Sequence, residues 1–139
     1  MQVFIVGTPL ETAIALDNKR LWKQIVETRQ ILDALNGKKA WSNHPCTLQY
    51  RKHKEWLELY MYCLDEYRKG FIVNAEYYND ACNMQKPTFH TQEYFDQMKR
   101  RLYTKDNEHY KQWAMFGKSD VNWYFVDGEW RKYVNGKRI

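Results

Sequence analysis

The chain has 139 residues and a mass of 17.0 kDa, which is enough for one domain with a substantial core. Apolar residues make up 44% and charged residues 28%, a balance that excludes an intrinsically disordered protein. No apolar run approaches the roughly 20 residues that cross a bilayer, and the first residues lack a secretory signal pattern. We therefore expect a cytoplasmic protein without membrane association. The formal charge of +5 and the aromatic content of 17% favour an anionic partner with flat rings, such as nucleic acid.

The cysteines limit the chemistry further. Cys46, Cys63 and Cys82 are odd in number and widely spaced, which fits neither a disulfide framework nor a zinc site. We expect buried, reduced thiols, and we expect the protein to use no metal and no cofactor.

The first elements carry clear start signals. A short apolar run at residues 3–6 predicts a strand or an extended N-terminal arm. Thr8 is a candidate N-cap, Pro9 suits the first helical position, and Glu11 completes a capping box. These signals predict a helix that runs to about residue 16.

Further helices follow along the chain. Asp17 and Asn18 indicate a new cap, and the second helix is predicted to run to about residue 35, where Asn36-Gly37 ends it. A third helical region, with one possible break, is predicted from Pro45 to Gly70. Later helices are predicted near residues 75–82, 92–103 and 106–116.

The end of the chain predicts a β-hairpin. Asp127-Gly128 supplies the positive φ angles of a type I′ turn between two aromatic and β-branched segments, 122–126 and 129–134. A two-residue turn pairs Phe125 with Trp130 and Trp123 with Lys132. The fold class is thus mainly α: one compact helical domain with a short N-terminal arm, predicted over residues 1–118, and a hairpin extension at 119–139 packed on it.

The basic character is concentrated in one region. Residues 15–54 hold nine Lys or Arg against three acidic residues. Such a local excess is the footprint of phosphate binding, although a solvated basic face gives the same composition.

The second helix has two distinct faces at about 100° per residue. Glu27 falls on the polar face with Arg20, Lys23 and Gln30. Two interpretations remain open for Glu27: an ordinary helix salt bridge, or an ionised acid held by a phosphate-binding surface. The opposite stripe is the predicted core face and consists of Leu21, Ile25, Thr28, Leu32 and Leu35.

These residues resemble those of pyrimidine-dimer DNA glycosylases of the bacteriophage endonuclease V type. Residues 17–32 are similar to a helix of that family, in which a basic residue or His lies seven positions before the catalytic glutamate; here the pair is Arg20 and Glu27. Two further segments are similar: residues 44–71, which begin with His44 and end in Arg-Lys-Gly-Phe, and residues 110–118. The resemblance covers about residues 1–118 and leaves the hairpin outside.

The resemblance implies base excision followed by strand cleavage on double-stranded DNA that is damaged or modified. An N-terminal α-amine, here that of Met1, would attack C1′ and form a Schiff base, with Glu27 as the catalytic acid and base. An amine of this type has a reference pKa near 8, so a neutral fraction exists at physiological pH. We expect a monomer whose contacts to phosphate or base come from Arg20, Lys23, Arg29, His44 and Arg51. A helix-start cap is the alternative role for His44.

One departure from the family leaves alternatives open. Members that use this mechanism expose the amine of a small residue after losing the initiator Met, whereas residue 2 here is Gln. Either the Met1 amine is the nucleophile, or lyase chemistry is lost. In the second case the chain is a monofunctional glycosylase or a non-catalytic binder of DNA or of modified pyrimidine nucleotides, neither of which needs the amine. A third hypothesis is an interaction protein whose hairpin docks a partner through Trp123 and Trp130, against the alternative that both are core residues.

Overall fold

The computed structural model describes residues 1–139, and its fold is mainly α with a small C-terminal sheet, as predicted. Packing divides the chain into two compact units, Met1–Pro87 and Thr88–Ile139. The domain boundary expected between residues 118 and 119 stays a prediction. None of the helices combines the length and the apolar character required to span a bilayer.

The predicted start and stop signals of the first unit are confirmed. Thr8 caps the first helix with a complete capping box to Glu11, and Asp17 caps the second through its side chain. Gly70 ends the fourth helix at a φ of 89°, a conformation that glycine adopts without strain. The five helices are α1 (Pro9–Ala15), α2 (Asn18–Leu35), α3 (Pro45–Gln49), α4 (Lys54–Lys69) and α5 (Ile72–Asn83).

The N-terminal arm and an aromatic stack lie in the core of this unit. Val3 and Ile5 are fully buried, although the arm is not part of any strand. Tyr50, Trp56 and Tyr60 form a stack with ring centroids 5.5 and 5.0 Å apart, and all three are buried. Of the predicted core face of α2, Leu21, Ile25, Thr28 and Leu32 are buried, and Leu35 is half-buried.

The second unit begins with α6 (Gln92–Lys105) and ends in a three-stranded antiparallel sheet. The strands are β1 (Val121–Val126), β2 (Glu129–Val134) and β3 (Lys137–Arg138), in that spatial order. The predicted register is confirmed, because Phe125 lies opposite Trp130 and Trp123 opposite Lys132. Strand β3 was not expected; Asn135 and Gly136 both have positive φ, so they repeat the turn chemistry of the first hairpin.

One predicted element of this unit differs from the structure. The helix expected over residues 106–116 is a 3-10 helix at Lys111–Lys118. Asp106 has extended backbone with a φ of −154°, and its side chain accepts a hydrogen bond from the His109 N–H, 3.1 Å away. Asp106 therefore ends α6 and organises a turn, because a short acidic side chain competes for backbone donors.

Candidate functional site

The N-terminal arm is held by a buried side chain of α2. Gln24 is only 2% exposed, and its Oε1 accepts a hydrogen bond from the Phe4 N–H at 2.5 Å. Its Nε2 donates to the Gln2 carbonyl oxygen at 2.8 Å. The amide thus replaces the strand partner that the arm lacks, which satisfies backbone groups that would otherwise be buried without hydrogen bonds.

Two hydroxyl groups complete this attachment. The Tyr60 hydroxyl of α4 donates to the Phe4 carbonyl oxygen at 2.5 Å and lies 3.1 Å from the Gln24 Oε1. The Thr12 hydroxyl of α1 accepts from the Val6 N–H at 3.1 Å. Three helices therefore fix the path of the arm, and with it the position of the N-terminus.

Glu27 lies one turn of α2 beyond Gln24, next to the start of the arm. Its Oε2 accepts a hydrogen bond from the Gln2 N–H at 3.3 Å. Its Oε1 lies 3.8 Å from the Nζ of Lys23, whose side chain is 69% exposed, whereas the side chain of Glu27 is 16% exposed. The carboxylate is thus partly shielded from water and in contact with the N-terminal segment, and a mobile cation lies beside it.

His44 contributes from the start of α3. It is the N-cap of that helix, and its Nδ1 accepts a hydrogen bond from the Cys46 N–H at 3.1 Å. In the neutral ring the proton therefore lies on Nε2, which remains a donor. Burial lowers the pKa of His44, the positive charge of the N-terminal amine lowers it further, and Glu27 acts in the opposite direction. The charges of the N-terminal amine and of Glu27 thus act in opposite directions on the protonation of His44.

Helix α3 also holds residue 1 directly. The Sγ of Cys46 lies 3.2 Å from the carbonyl oxygen of Met1, which accepts its hydrogen bond. The other two cysteines are buried thiols without a disulfide partner, as predicted, and burial raises the pKa of Cys63 to about 12. A thiol with such a pKa is a poor nucleophile at neutral pH, so Cys63 has a packing role.

The predicted basic contacts are arranged unequally around this cluster. Arg20 forms an ion pair with Asp17, the N-cap of its own helix, at 3.2 Å, and it lies two helical turns before Glu27. Arg29 is exposed on α2 but projects from another side of the helix than Glu27, because the two are two residues apart. Arg51 is exposed in the turn that follows α3. Lys23 lies beside Glu27, with its Nζ 3.8 Å from Oε1.

Sequence reasoning named Lys23 and Glu27, which the structure places 3.8 Å apart, and Met1 and His44, which both contact Cys46, but it missed Gln24. The available signal was a long polar side chain next to the apolar stripe of α2, three residues before Glu27. Nothing in the sequence indicated that this amide would bind the backbone of residues 2 and 4. Such contacts arise only when the arm folds back over α2.

The two tryptophans of the hairpin pack inside their own unit. Trp130 stacks on Phe89, with ring centroids 4.5 Å apart, and meets Tyr94 edge to face at 5.3 Å. Trp123 is half-buried, and both of its backbone polar groups bind the side chain of Gln97. These contacts favour a core role for both residues over a free docking surface.

Comparison with known proteins identifies the first unit. A family model described as pyrimidine dimer DNA glycosylase matches residues 1–79, which include Met1, Glu27 and His44. A search of curated proteins and a search of solved structures each found no match. The similarity seen at residues 110–118 lies beyond the matched segment and stays a prediction.

Proposed function

The chain belongs to the pyrimidine dimer DNA glycosylase family, and we propose that it excises a damaged base from double-stranded DNA and then cleaves the strand. In this proposal the α-amine of Met1 is the nucleophile and Glu27 is the acid and base. The observation that carries it is the convergence of residues distant in sequence: the Gln2 N–H donates to Glu27 at 3.3 Å, and the Sγ of Cys46, at the start of the helix that His44 caps, donates to the Met1 carbonyl oxygen at 3.2 Å.

The proposed reaction begins with the neutral amine. Its lone pair attacks C1′ of the damaged nucleotide, and the bond from C1′ to the base breaks with its electron pair leaving on the base. Glu27 takes a proton from the resulting ammonium and delivers it to O4′ as the sugar ring opens to a protonated Schiff base. The carboxylate then removes a proton from C2′, and the electron pair expels the 3′-phosphate. Both steps use one carboxylate that alternates between acid and base.

The surroundings of the carboxylate suit this role. Glu27 is largely shielded from water, and an anion in such a place stabilises a neighbouring cationic intermediate more strongly than it would in bulk solvent. Lys23, Arg29 and Arg51 are exposed, so their charged groups are available to phosphates on the strand around the reacting nucleotide. We propose that the chain acts as a monomer.

A trapping experiment tests the proposal. The protein is incubated with duplex DNA that carries an abasic site or a thymine dimer, and borohydride is added to reduce any Schiff base. We expect a covalent adduct with the wild type and no adduct after acetylation of the N-terminal amine. Glu27→Gln is expected to slow strand cleavage by about 100-fold or more in single-turnover reactions, the usual contribution of a general acid and base.

Asp33→Asn is the matched control on the same helix. Asp33 pairs with the exposed Lys38 at 3.5 Å, so its loss should leave the cleavage rate unchanged. An adduct that survives acetylation would reject the Met1 amine, and normal cleavage by Glu27→Gln would reject the carboxylate. Salt-sensitive binding to damaged duplex with neither adduct nor cleavage would reject the lyase, and the absence of base release as well would establish the non-catalytic binder.

A further inference from the structure

The loop between α2 and α3 exposes a tryptophan in an unusual backbone conformation. Trp41 has a φ of 64°, in the left-handed region that a bulky residue seldom adopts, and 45% of its surface is exposed. Strain of this kind persists only where the surrounding structure holds it, and it clusters at functional sites.

The start of α3 provides the restraint. The Trp41 carbonyl oxygen accepts hydrogen bonds from the Thr47 hydroxyl at 2.8 Å and from the His44 N–H at 3.1 Å. Thr47 is 2% exposed, so its donor is fixed by the core of the unit. The indole lies edge to face against the His44 ring, with centroids 5.5 Å apart. The exposed ring is therefore held in a defined place.

That place is beside the proposed catalytic groups. The His44 ring accepts a hydrogen bond from the Cys46 N–H at 3.1 Å, and the Cys46 Sγ lies 3.2 Å from the Met1 carbonyl oxygen, so the indole that packs against His44 lies near residue 1. Lys39, two residues before Trp41, is exposed and available to a phosphate. An aromatic face, a nearby cation and a reactive centre are thus combined at one end of α3.

A second exposed tryptophan in the same unit shows what is distinctive here. Trp22 of α2 is 48% exposed, but the Arg68 guanidinium covers its ring at 4.5 Å from the centroid. Trp22 also has ordinary helical backbone. Trp41 differs in both respects. Its ring meets the His44 ring edge to face, and its backbone has a positive φ instead of a helical one.

We propose that Trp41 stacks on a nucleobase next to the nucleotide being excised and so holds the DNA strand open at that point. A nucleotide drawn out of the duplex leaves its neighbour without a stacking partner, and a fixed indole replaces the lost contact. Trp41 is a positioning residue in this scheme. The inference rests on the proposed function for the location of the reacting nucleotide, but it concerns binding and not bond cleavage.

The test uses an unreactive tetrahydrofuran analogue of an abasic site, with 2-aminopurine as the neighbouring base. We expect Trp41→Ala to bind this duplex about tenfold more weakly than the wild type, as loss of one base-stacking contact predicts, and to lose the fluorescence change of 2-aminopurine. Trp41→Phe should retain most of both, because it keeps an aromatic face. Trp22→Ala is the matched control and should behave as the wild type, with thermal unfolding confirming that all variants are folded.

Two results would overturn the inference: wild-type affinity and fluorescence in Trp41→Ala, or an equal loss in Trp22→Ala. Borohydride trapping on a reactive abasic site reports separately on the proposed function. Trapping by the wild type with no effect of Trp41→Ala on binding rejects the stacking role alone. A fluorescence response that depends on Trp41, without trapping, rejects the catalytic proposal alone.

Discussion

Two buried glutamines hold extended backbone in two regions of this molecule. Gln24 of α2 binds the N-terminal arm, with Oε1 to the Phe4 N–H at 2.5 Å and Nε2 to the Gln2 carbonyl at 2.8 Å. Gln97 of α6 binds both backbone groups of Trp123, at 2.6 and 2.9 Å. The two side chains are 2% and 1% exposed, so the local chemistry is nearly the same.

The difference lies in what else holds each segment. Trp123 belongs to β1, which pairs along its length with β2, so Gln97 covers the open edge of a strand that is already hydrogen-bonded. The arm has no strand partner, and the hydrogen bonds that fix it come from side chains. We therefore expect Gln24 to determine how well the arm is ordered and where the N-terminus lies relative to Glu27. The hairpin should depend far less on Gln97.

Replacing each glutamine by leucine tests this contrast and should produce the largest effects. Gln24→Leu leaves buried backbone groups of the arm unpaired, so we expect the free energy of unfolding to fall by about 2–3 kcal/mol. Because the arm then moves relative to Glu27, borohydride trapping should slow by about tenfold or more. Urea unfolding and single-turnover trapping measure the two quantities.

Gln97→Leu is the matched control. It should lower the free energy of unfolding by only about 1–2 kcal/mol, because the ladder to β2 remains, and should change trapping by less than about twofold. Equal stability losses in the two variants would contradict the comparison. A wild-type trapping rate in Gln24→Leu would show that the arm is positioned by other contacts.

The Tyr60 hydroxyl makes a smaller contribution to the same attachment. Tyr60→Phe removes the hydrogen bonds to the Phe4 carbonyl and to Gln24 while keeping the aromatic stack. We expect a loss of about 1 kcal/mol in the free energy of unfolding, measured by urea titration. Tyr62→Phe is the control on the same helix, because its ring is 42% exposed. A comparable loss of stability in Tyr62→Phe would show that the Tyr60 hydrogen bonds make no specific contribution to holding the arm.

The smallest expected effect is a change in how stability depends on pH. The pKa of His44 is lowered in the folded protein by burial and by the N-terminal charge, so the unfolded chain binds its proton at higher pH. This contribution to stability is fully present above the unfolded pKa of about 6.5 and is lost as the pH falls through the folded value. His44→Asn keeps a capping side chain and should flatten the fall in stability below pH 6.5.

The stability of His44→Asn should still decrease somewhat as the pH falls, and His53 is one source of that decrease. Burial and the charge of Lys52 also lower the pKa of His53, which contributes with the same sign in both proteins. A profile for His44→Asn that coincides with the wild type from pH 7 to pH 5 would mean that His44 titrates alike in the folded and unfolded chains.

Local sequence signals determined most of the element boundaries. The capping box at Thr8, the Asp17 cap and the Asp127-Gly128 turn each act over four residues or fewer, so the sequence was sufficient to predict them. The 3-10 helix was predicted less well. Asp106 was read as the start of a helix, whereas its side chain organises a turn, and these two uses of a short acid look alike in sequence.

The candidate site also combines features that the sequence could predict with features that it could not. The spacing on α2 placed Lys23 on the same face as Glu27, because a helix fixes the relation of residues four apart. Arg20 lies two turns before Glu27, and its ion pair with Asp17, three residues away, is seen only in the structure. The resemblance of residues 17–32 supplied the choice of Glu27 over other acids.

By itself, the sequence determined which residues form helices, where the hairpin turns and where the positive charge is concentrated. Only the tertiary structure decided that the start of the arm lies against Glu27 and Cys46, that Gln24 replaces a strand partner for the arm, and that Trp41 is held beside His44. The physical reason is one of range. Caps, turns and helical spacing depend on neighbours along the chain. The N–H and C=O groups of an unpaired backbone segment can instead form hydrogen bonds with any buried side chain that packing brings to them, however distant it is in sequence.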